Sequence, residues 1–384
     1  MAFEPVLTAA ETALIEAAAE LARTDIGPNA AQREKERGGL ASLRRKAGAA
    51  GILGLLAPVG AGGGGCSFSG AARVFEEMAR SDMASTFGMI VHANLVANIA
   101  RTGNPRQQAE FLPGMLAGER TGAFLLTEPG TGSDAQAIAC RATEVPGGWR
   151  IDGEKAWISN AADADVLSVY VQSDPAGGWR GIMAFLVEAD RPGIERLGPW
   201  DLHGGHALGT GGFRFDGLRV SPDDILLPRE AAFRGAMGGI NSARVFVGAM
   251  CTGMMRDALD RALAYTAERT AFGQPLAAFQ GLEWMLADAA TDIEATRLLT
   301  WAAAARMDAG EDATLAAAHA KKYAARAACR AIGDCMQVLG ANGFRQDQPV
   351  ARHLANARMA HFIDGTTEIQ NVVIGRALRS PARR

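Results

Sequence analysis

The feature that most restricts this chain is a change of periodicity, made twice. In the first stretch apolar residues recur at helical spacing. After Gly122 they come in short alternating runs cut by Gly, Pro and Asp, until near Ser221-Pro222-Asp223-Asp224. From about Asn241 helical spacing returns and lasts to the end. Helices, then strands, then helices reads as an α+β chain with a compact antiparallel β domain between two helical regions. The boundaries expected are 1–122, 123–228 and 229–384, and the length of 384 residues suits two or three domains.

Within the first region, residues 8–25 carry Leu14, Ile15, Ala18, Leu21 and Ala22 on one face. A second helix fits Leu40–Ala50, with Arg44, Arg45 and Lys46 read as its solvated face. The glycine run at 58–65 has no GK[ST] after it and no clean GxGxxG, so it is a loop and not a phosphate cradle. Helical patterns follow over Gly70–Ala79 and Ala84–Ala100, and Asn104-Pro105 turns the chain. Strand-like runs fall at Trp149–Lys155, Val166–Val171, Met183–Val187 and Gly212–Phe215. The last region divides into four long Ala-rich helices at Gly273-Gln274-Pro275, Ala309-Gly310 and Gly340–Pro349.

Charge and cysteine content remove several function classes. With 39 basic and 42 acidic residues the formal charge is −3, so neither nucleic acid nor an anionic membrane is an expected partner. The five cysteines (Cys66, Cys140, Cys251, Cys329, Cys335) are scattered without a CxxC pair, which suits neither a disulfide framework nor a zinc site. No run of ~20 uninterrupted apolar residues stands out as a membrane span. Glu4 and Glu11 sit where a secretory leader would be basic and then apolar, so the expected location is cytoplasmic. His203 and His206 read as loop residues and no metal is expected. His92 reads as structural, and Met78, Met83, Met89, Met254 and Met255 as core or pocket lining.

Four motifs carry candidate chemistry. In Phe124-Leu125-Leu126-Thr127-Glu128-Pro129-Gly130-Thr131-Gly132-Ser133-Asp134 a strand enters a glycine-rich turn; it is either a solvent turn or a grip of N–H groups and hydroxyls on a polar ligand. Trp157 and Ser159 end the run Lys155-Ala156-Trp157-Ile158-Ser159. The indole is either core or a cover for a flat ring whose edge the hydroxyl bonds. Glu268-Arg269-Thr270-Ala271-Phe272-Gly273-Gln274-Pro275-Leu276, then Phe279-Gln280, places an arginine at a helix end, where it suits the dipole or a pyrophosphate. Last come Gln337-Val338-Leu339-Gly340-Ala341-Asn342-Gly343 and Phe362-Ile363-Asp364-Gly365-Thr366-Thr367-Glu368-Ile369-Gln370.

In this order and spacing, from about Ala84 to Arg376, the four motifs resemble the acyl-CoA dehydrogenase family, and the TEPGTGSD and RTAFGQPL runs are the most specific. The resemblance implies the family fold: a helical N-terminal domain, a middle antiparallel β domain and a C-terminal four-helix bundle. It implies FAD, with Phe124, Leu126, Thr127, Gly132 and Ser133 at positions that meet the flavin and its phosphates, and Trp157 and Ser159 flanking the ring. Arg269, Phe272 and Gln280, with Gln337 and Gly340, match residues that reach the FAD of a neighbouring subunit; a homotetramer, a dimer of dimers, is therefore implied. Thr366 and Glu368 match a pair touching FAD. Asp364 falls at the base that removes the substrate's α-proton, and Ser133, Arg244, Asp364 and Gly365 at the substrate. An acyl-CoA is the implied substrate and an electron-transfer flavoprotein the implied electron acceptor.

One departure stands out. In the short- and medium-chain members the base is glutamate, and here Asp364 is one methylene shorter, a withdrawal of roughly 1.5 Å. Some branches place the base one residue before the arginine that is Arg244 here, but that position is Ala243. A misplacement of about 1 Å can cost a hundredfold in rate, and three accounts follow. The substrate brings its α-carbon closer or carries bulk there, as an α-branched or cyclic acyl group would; or the reaction begins at a more acidic carbon, as in the nitroalkane oxidases of the superfamily; or Asp364 only caps the helix after it. An oxygen-using oxidase or monooxygenase, a dehydrogenase of acyl-carrier-protein thioesters, and a nucleic-acid-binding relative are the competing functions. Charge balance argues against the last of them.

Overall fold

The computed structural model describes residues 4–379. Helix α1 (Ala9–Leu21) opens on a capping box in which Thr8 and Glu11 side chains each accept the other's backbone N–H. It continues through α2 (Gly27–Glu36), α3 (Ala41–Ala49), α4 (Phe68–Ala79), α5 (Met83–Thr102) and α6 (Pro105–Leu116). Helix α6 corrects the expectation that Asn104-Pro105 simply turns the chain. Asn104 is an N-cap whose side chain accepts from Gln107 N–H while Gln107 accepts from Asn104 N–H, and Pro105 stands where a helix needs no donor. Arg44 corrects another. It does not face solvent but is buried in an ion pair with Asp163 from the β region, while Arg45 is exposed. Helix α5 is long and apolar enough to cross a membrane, yet 78% of its apolar window is buried, packed on α4 and α6 and on elements named below.

Eight strands make one sheet: β1 (Gly122–Leu125), β2 (Arg141–Val145), β3 (Gly148–Ile158), β4 (Val166–Gln172), β5 (Ile182–Glu188), β6 (Ile194–Leu197), β7 (Gly211–Val220) and β8 (Ile225–Leu227). Their order is β6-β7-β3-β2-β4-β5-β8, with β1 joined to β4. The expected all-antiparallel domain is corrected in two places. Strand β1 runs parallel to β4 from Gly122↔Val166 to Leu125↔Val169, and β2 meets β4 in parallel at Arg141↔Gln172. Because β5 occupies the other edge of β4, β1 and β2 lie end to end along one edge. The glycine-rich loop 126–140 therefore interrupts what would otherwise be a single strand. Strands β4 and β5 are buried on both faces. One face packs on α5 and α6 through Val166, Tyr170 and Leu186, and the other meets β7 through Val169, Phe185 and Phe213.

Helix α7 (Ala231–Glu268) begins ten residues before Asn241. A small hairpin of β9 (Thr270–Ala271) and β10 (Gln274–Pro275) leads into α8 (Gln280–Asp308), followed by α9 (Thr314–Leu339), α10 (Pro349–Met359) and α11 (Thr367–Arg379). The fourth expected long helix is thus two short ones, split by a turn whose Asp364 and Gly365 both have positive φ (51° and 88°). Helices from both ends of the chain share one core, in which Phe75 of α4 meets Phe246 of α7 edge-on at 4.9 Å. At Gly253 a Cβ would collide with the Glu76 carbonyl, so glycine permits the close approach of α4 and α7.

Candidate active site

The turn between α10 and α11 is built from its hydrogen bonds. Helix α10 unwinds as the Phe362 and Ile363 N–H groups both donate to Met359 O. Asp364 then takes the left-handed conformation that Asp tolerates better than most residues, and Gly365 follows it. Three side chains hold the carbonyls thrown outward by this path. Arg244 Nε on α7 donates to Asp364 O (3.0 Å), Lys321 Nζ on α9 donates to Gly365 O (2.6 Å) and His361 O (3.3 Å), and Gln370 Nε2 donates to Gly365 O (3.0 Å). A Cβ on Gly365 would press on Arg244 Nη2 at 3.1 Å. Asn241 orients Arg244 from one turn earlier (2.9 Å). The cap of α11 is Thr366, whose hydroxyl accepts from Ile369 N–H (3.3 Å). That removes the account in which Asp364 is the helix cap.

Left over is the Asp364 side chain. Its Oδ2 is sealed from solvent and has no hydrogen-bond partner, although the residue as a whole keeps some exposure. Burial pushes the carboxyl up to about 6, against the pull of Lys321 and Arg244, which favour its charged form. Such a carboxyl is largely ionised at neutral pH, lacks solvation, and suits proton abstraction. Burial also depresses Lys321 to about 8, with Asp364 opposing that shift. Ala243, beside Arg244, is buried and carries no carboxylate.

A second cluster forms around the glycine-rich loop. The chain after β1 is tied to β3 by Ala156 N–H to Thr127 O (2.9 Å) and by Lys155 Nζ to Leu126 O (2.9 Å). Lys155 also pairs with Glu128 (2.7 Å), which accepts from Ala139 and Cys140 N–H at the loop's far end (2.6 and 2.9 Å). Phe124 packs on Tyr170 (4.9 Å) and Leu126 is buried, while Thr127 is half-buried and Gly132 and Ser133 are exposed. Trp157 is not core. An extra residue in β3 between Lys155↔Phe213 and Ile158↔Gly211 makes a bulge, Trp157 takes φ 60°, and its indole is 60% exposed, edge-on to Trp200 at 4.9 Å. Ser159 follows in the turn after β3, half-buried. An exposed indole beside a hydroxyl, and a loop whose Gly130 and Gly132 have open space where a Cβ would stand, fit a flat, polar-edged ring with phosphates.

The third group lies at the ends of long helices. Arg269 is the C-cap of α7, its carbonyl accepting from Leu276 N–H (2.8 Å), and Phe272 is 96% exposed at φ 51°, touching Phe279 edge-on. Gln280 opens α8, and Gln337 and Gly340 end α9; all three are exposed. Thr366 and exposed Glu368 stand with the Asp364 turn. Thus Arg244, Asp364, Gly365, Thr366 and Glu368 come together, while Phe124, Leu126, Thr127, Gly132 and Ser133 lie on β1 and the loop after it, and Trp157 and Ser159 lie at the end of β3, which Ala156 N–H ties to Thr127 O. Lys321, His361 and Gln370 belong to the Asp364 site without having been foreseen. The signal for Lys321 was its place on the apolar face of α9, four residues after Ala317 and three before Ala324.

Two other histidines, His206 and His92, have defined partners. His206 Nδ1 bonds Glu34 (2.9 Å) and Nε2 accepts from Leu202 N–H, so a carboxylate distant in sequence does reach this loop. Among the described residues no group of three or more His, Cys, Asp or Glu is placed to hold a metal. His92 bridges Met115 O (2.9 Å) and Gly122 N–H (3.1 Å), and burial pushes it down to about 4.

Comparison with known proteins gives one family. Residues 8–119, 123–218 and 233–379 match the N-terminal, middle and C-terminal domains of acyl-CoA dehydrogenase. The chain is 33% identical over 363 residues to the bovine mitochondrial short-chain specific acyl-CoA dehydrogenase, covering 94% of this chain and 88% of that one. To cyclohex-1-ene-1-carbonyl-CoA dehydrogenase of Syntrophus aciditrophicus it is 31% identical over 380 residues, covering 98% and 91%. Among solved structures, butyryl-CoA dehydrogenase from Megasphaera elsdenii superposes with TM-score 0.94 at 30% identity, covering 98% of this chain and 100% of that one. A chain from the electron transferring flavoprotein structure of Acidaminococcus fermentans gives TM-score 0.94 at 31% identity, covering 98% and 100%. With all three domains matched across nearly its whole length, the chain belongs to the acyl-CoA dehydrogenase family.

Proposed function

We propose that the protein is an FAD-dependent dehydrogenase that oxidises the Cα–Cβ bond of an acyl-CoA bearing a short, branched or cyclic acyl group, with Asp364 as the α-proton base. The observation that carries this is the sealed, unpartnered Oδ2 of Asp364 on a turn held from α7 and α9. When bound, FAD supplies the hydride acceptor. The chain's part is position and electrostatics. Asp364 takes the α-proton, and Arg244 and Lys321 stabilise the turn that aims it. Among the described residues no acceptor is bonded to the Asp364 N–H, which leaves that donor available to polarise a thioester oxygen. Phe124, Leu126, Thr127, Gly132, Ser133, Trp157 and Ser159 line the flavin side, and Thr366 and Glu368 adjoin it.

CoA as the carrier is supported at the N-terminal end of α7. Arg180 and Arg234 lie over the Trp179 ring at 4.7 and 5.2 Å, giving a stacking surface with two exposed cations. Arg234 precedes Arg244 by ten residues, a rise of roughly 15 Å, which suits a substrate whose reacting carbon and anionic head are far apart. An electron-transfer flavoprotein is the proposed acceptor, supported by the family and by the Acidaminococcus neighbour.

The shorter base favours bulk at the α-carbon, and the similarity to a cyclohexene-carbonyl-CoA enzyme points the same way. Anaerobic titration of the yellow protein with straight, α-branched and cyclic acyl-CoAs, read by bleaching of the flavin, is the test. Bleaching by the branched or cyclic members alone is the expected result. Bleaching by straight chains keeps the dehydrogenase and removes the account of the aspartate, and no bleaching by any member removes the acyl-CoA reading.

A further inference from the structure

We propose that Lys321 is the positioning residue of the Asp364 base: its ammonium ties the His361 and Gly365 carbonyls to α9, completes with Arg244 a clamp on the left-handed turn, and adds a second positive charge to the field at the carboxylate. The inference rests on the reading of Asp364 as base.

Lys321 is fully buried on a helix face made of alanines, among them Ala317, Ala320, Ala324 and Ala325. Burying an ammonium costs several kcal/mol unless its surroundings repay it. Three other buried cations of this protein are repaid by a directly bonded carboxylate: Arg33 by Asp25, Lys155 by Glu128, Arg44 by Asp163. Lys321 differs from these, as does Arg244, which bonds the Asp364 carbonyl and Asn241. The bonds of Lys321 go to two carbonyls, 2.6 Å at Gly365 and 3.3 Å at His361, which flank the base residue in the chain. Those bonds alone do not require a charge, because a neutral donor also satisfies a carbonyl. What a charge adds is its field on Asp364, whose Oδ2 has no bond of its own.

The groups facing this pair are few. From α7 come Arg244, which also favours ionised Asp364, and Cys251, a buried thiol pushed up to about 12 and so neutral. From α11 comes exposed Glu368, and from the turn His361, whose pKa burial lowers. Lys321 and Arg244 are therefore the cations that oppose the burial of the base, and they reach it from different helices.

Lys321→Met, similar in length and without charge, tests this in the FAD-loaded enzyme. One readout is the pH dependence of flavin reduction at limiting substrate. The second is infrared titration of the Asp364 carboxyl without substrate, with Asp364→Asn used to identify its band. The expected result is that both midpoints rise by about one unit. Reduction would then be several-fold slower near pH 6.5 and mostly recover at pH 8.5. A rate loss that is equal at every pH, with the infrared midpoint unmoved, overturns the proposal and leaves Lys321 a structural residue. Lys321→Arg serves where Lys321→Met does not fold: it should keep the midpoint within about half a unit of wild type, and a rise as large as a full unit overturns the charge argument. If Asp364→Asn reduces flavin as fast as wild type, the base reading fails, while the infrared midpoint still reports the coupling on its own.

Discussion

At the scale of single residues, the chemistry turns on a carboxyl placed where its charge is poorly solvated. Its folded pKa of about 6 stands above the ordinary aspartate value of 3.8. The native state therefore holds a proton between about pH 4 and 6 that the unfolded chain has released, and stability falls as pH rises through that window. Above it, the ionised group costs the fold about 1–3 kcal/mol. Asp364→Asn should thus gain stability relative to wild type on going from pH 5 to pH 8, as read by urea denaturation of both proteins at each pH. A difference that does not change with pH would contradict the buried charge. Catalysis has the opposite sign, since the base must be ionised, and kcat/KM should rise with pH through about 6. The identity of Asp364 was legible from its Gly-Thr context. The apolar face of α9 marked Lys321 as a buried cation, but its role was not legible, because its two partners are carbonyls some 40 residues away that carry no sequence signal.

Among the elements, the interrupted strand decides most. Loop 126–140 sits between two strands on one edge of β4, and the buried Lys155–Glu128 pair pins both its ends to β3. Breaking a buried pair by removing one partner costs roughly 3–5 kcal/mol. Lys155→Met should therefore lower the unfolding free energy by about that amount and release flavin more readily, measured by denaturation and by flavin fluorescence after gel filtration. Full flavin retention at unchanged stability would show that the pair does not hold the loop. The sequence marked Thr127, Gly132 and Trp157 by type and spacing. It could not distinguish an exposed indole from a core one, because a strand pattern assigns faces by alternation and the bulge at Lys155–Ile158 breaks the alternation there. The same holds for Asn104-Pro105, where turn chemistry and helix-start chemistry share the same residues.

At the scale of the whole molecule, several large apolar side chains are exposed on the C-terminal helices and their connections: Phe272 at 96%, Phe344 at 80% and Trp284 at 61%. Phe272 is held out by a positive φ, a conformation that costs energy and persists where the surroundings fix it. We propose that these side chains are covered by further copies of the chain and that Arg269, Phe272, Gln280, Gln337 and Gly340 reach a neighbour's FAD. Light scattering should then give a tetramer, and Phe272→Asp should shift it to smaller species and weaken flavin binding; a monomer with full flavin affinity would refute this. By itself the sequence determined the order of helical and strand regions and the family, and it singled out Asp364 as the candidate base, because periodicity and short motifs are local and survive without knowledge of contacts. Only the tertiary structure decided that β1 and β2 share an edge of β4, that helices from both ends form one core, and that Arg244 and Lys321 converge on Asp364. Each of these depends on which distant segments pack together, and packing of Ala-rich faces leaves little mark on the order of residues within any one of them.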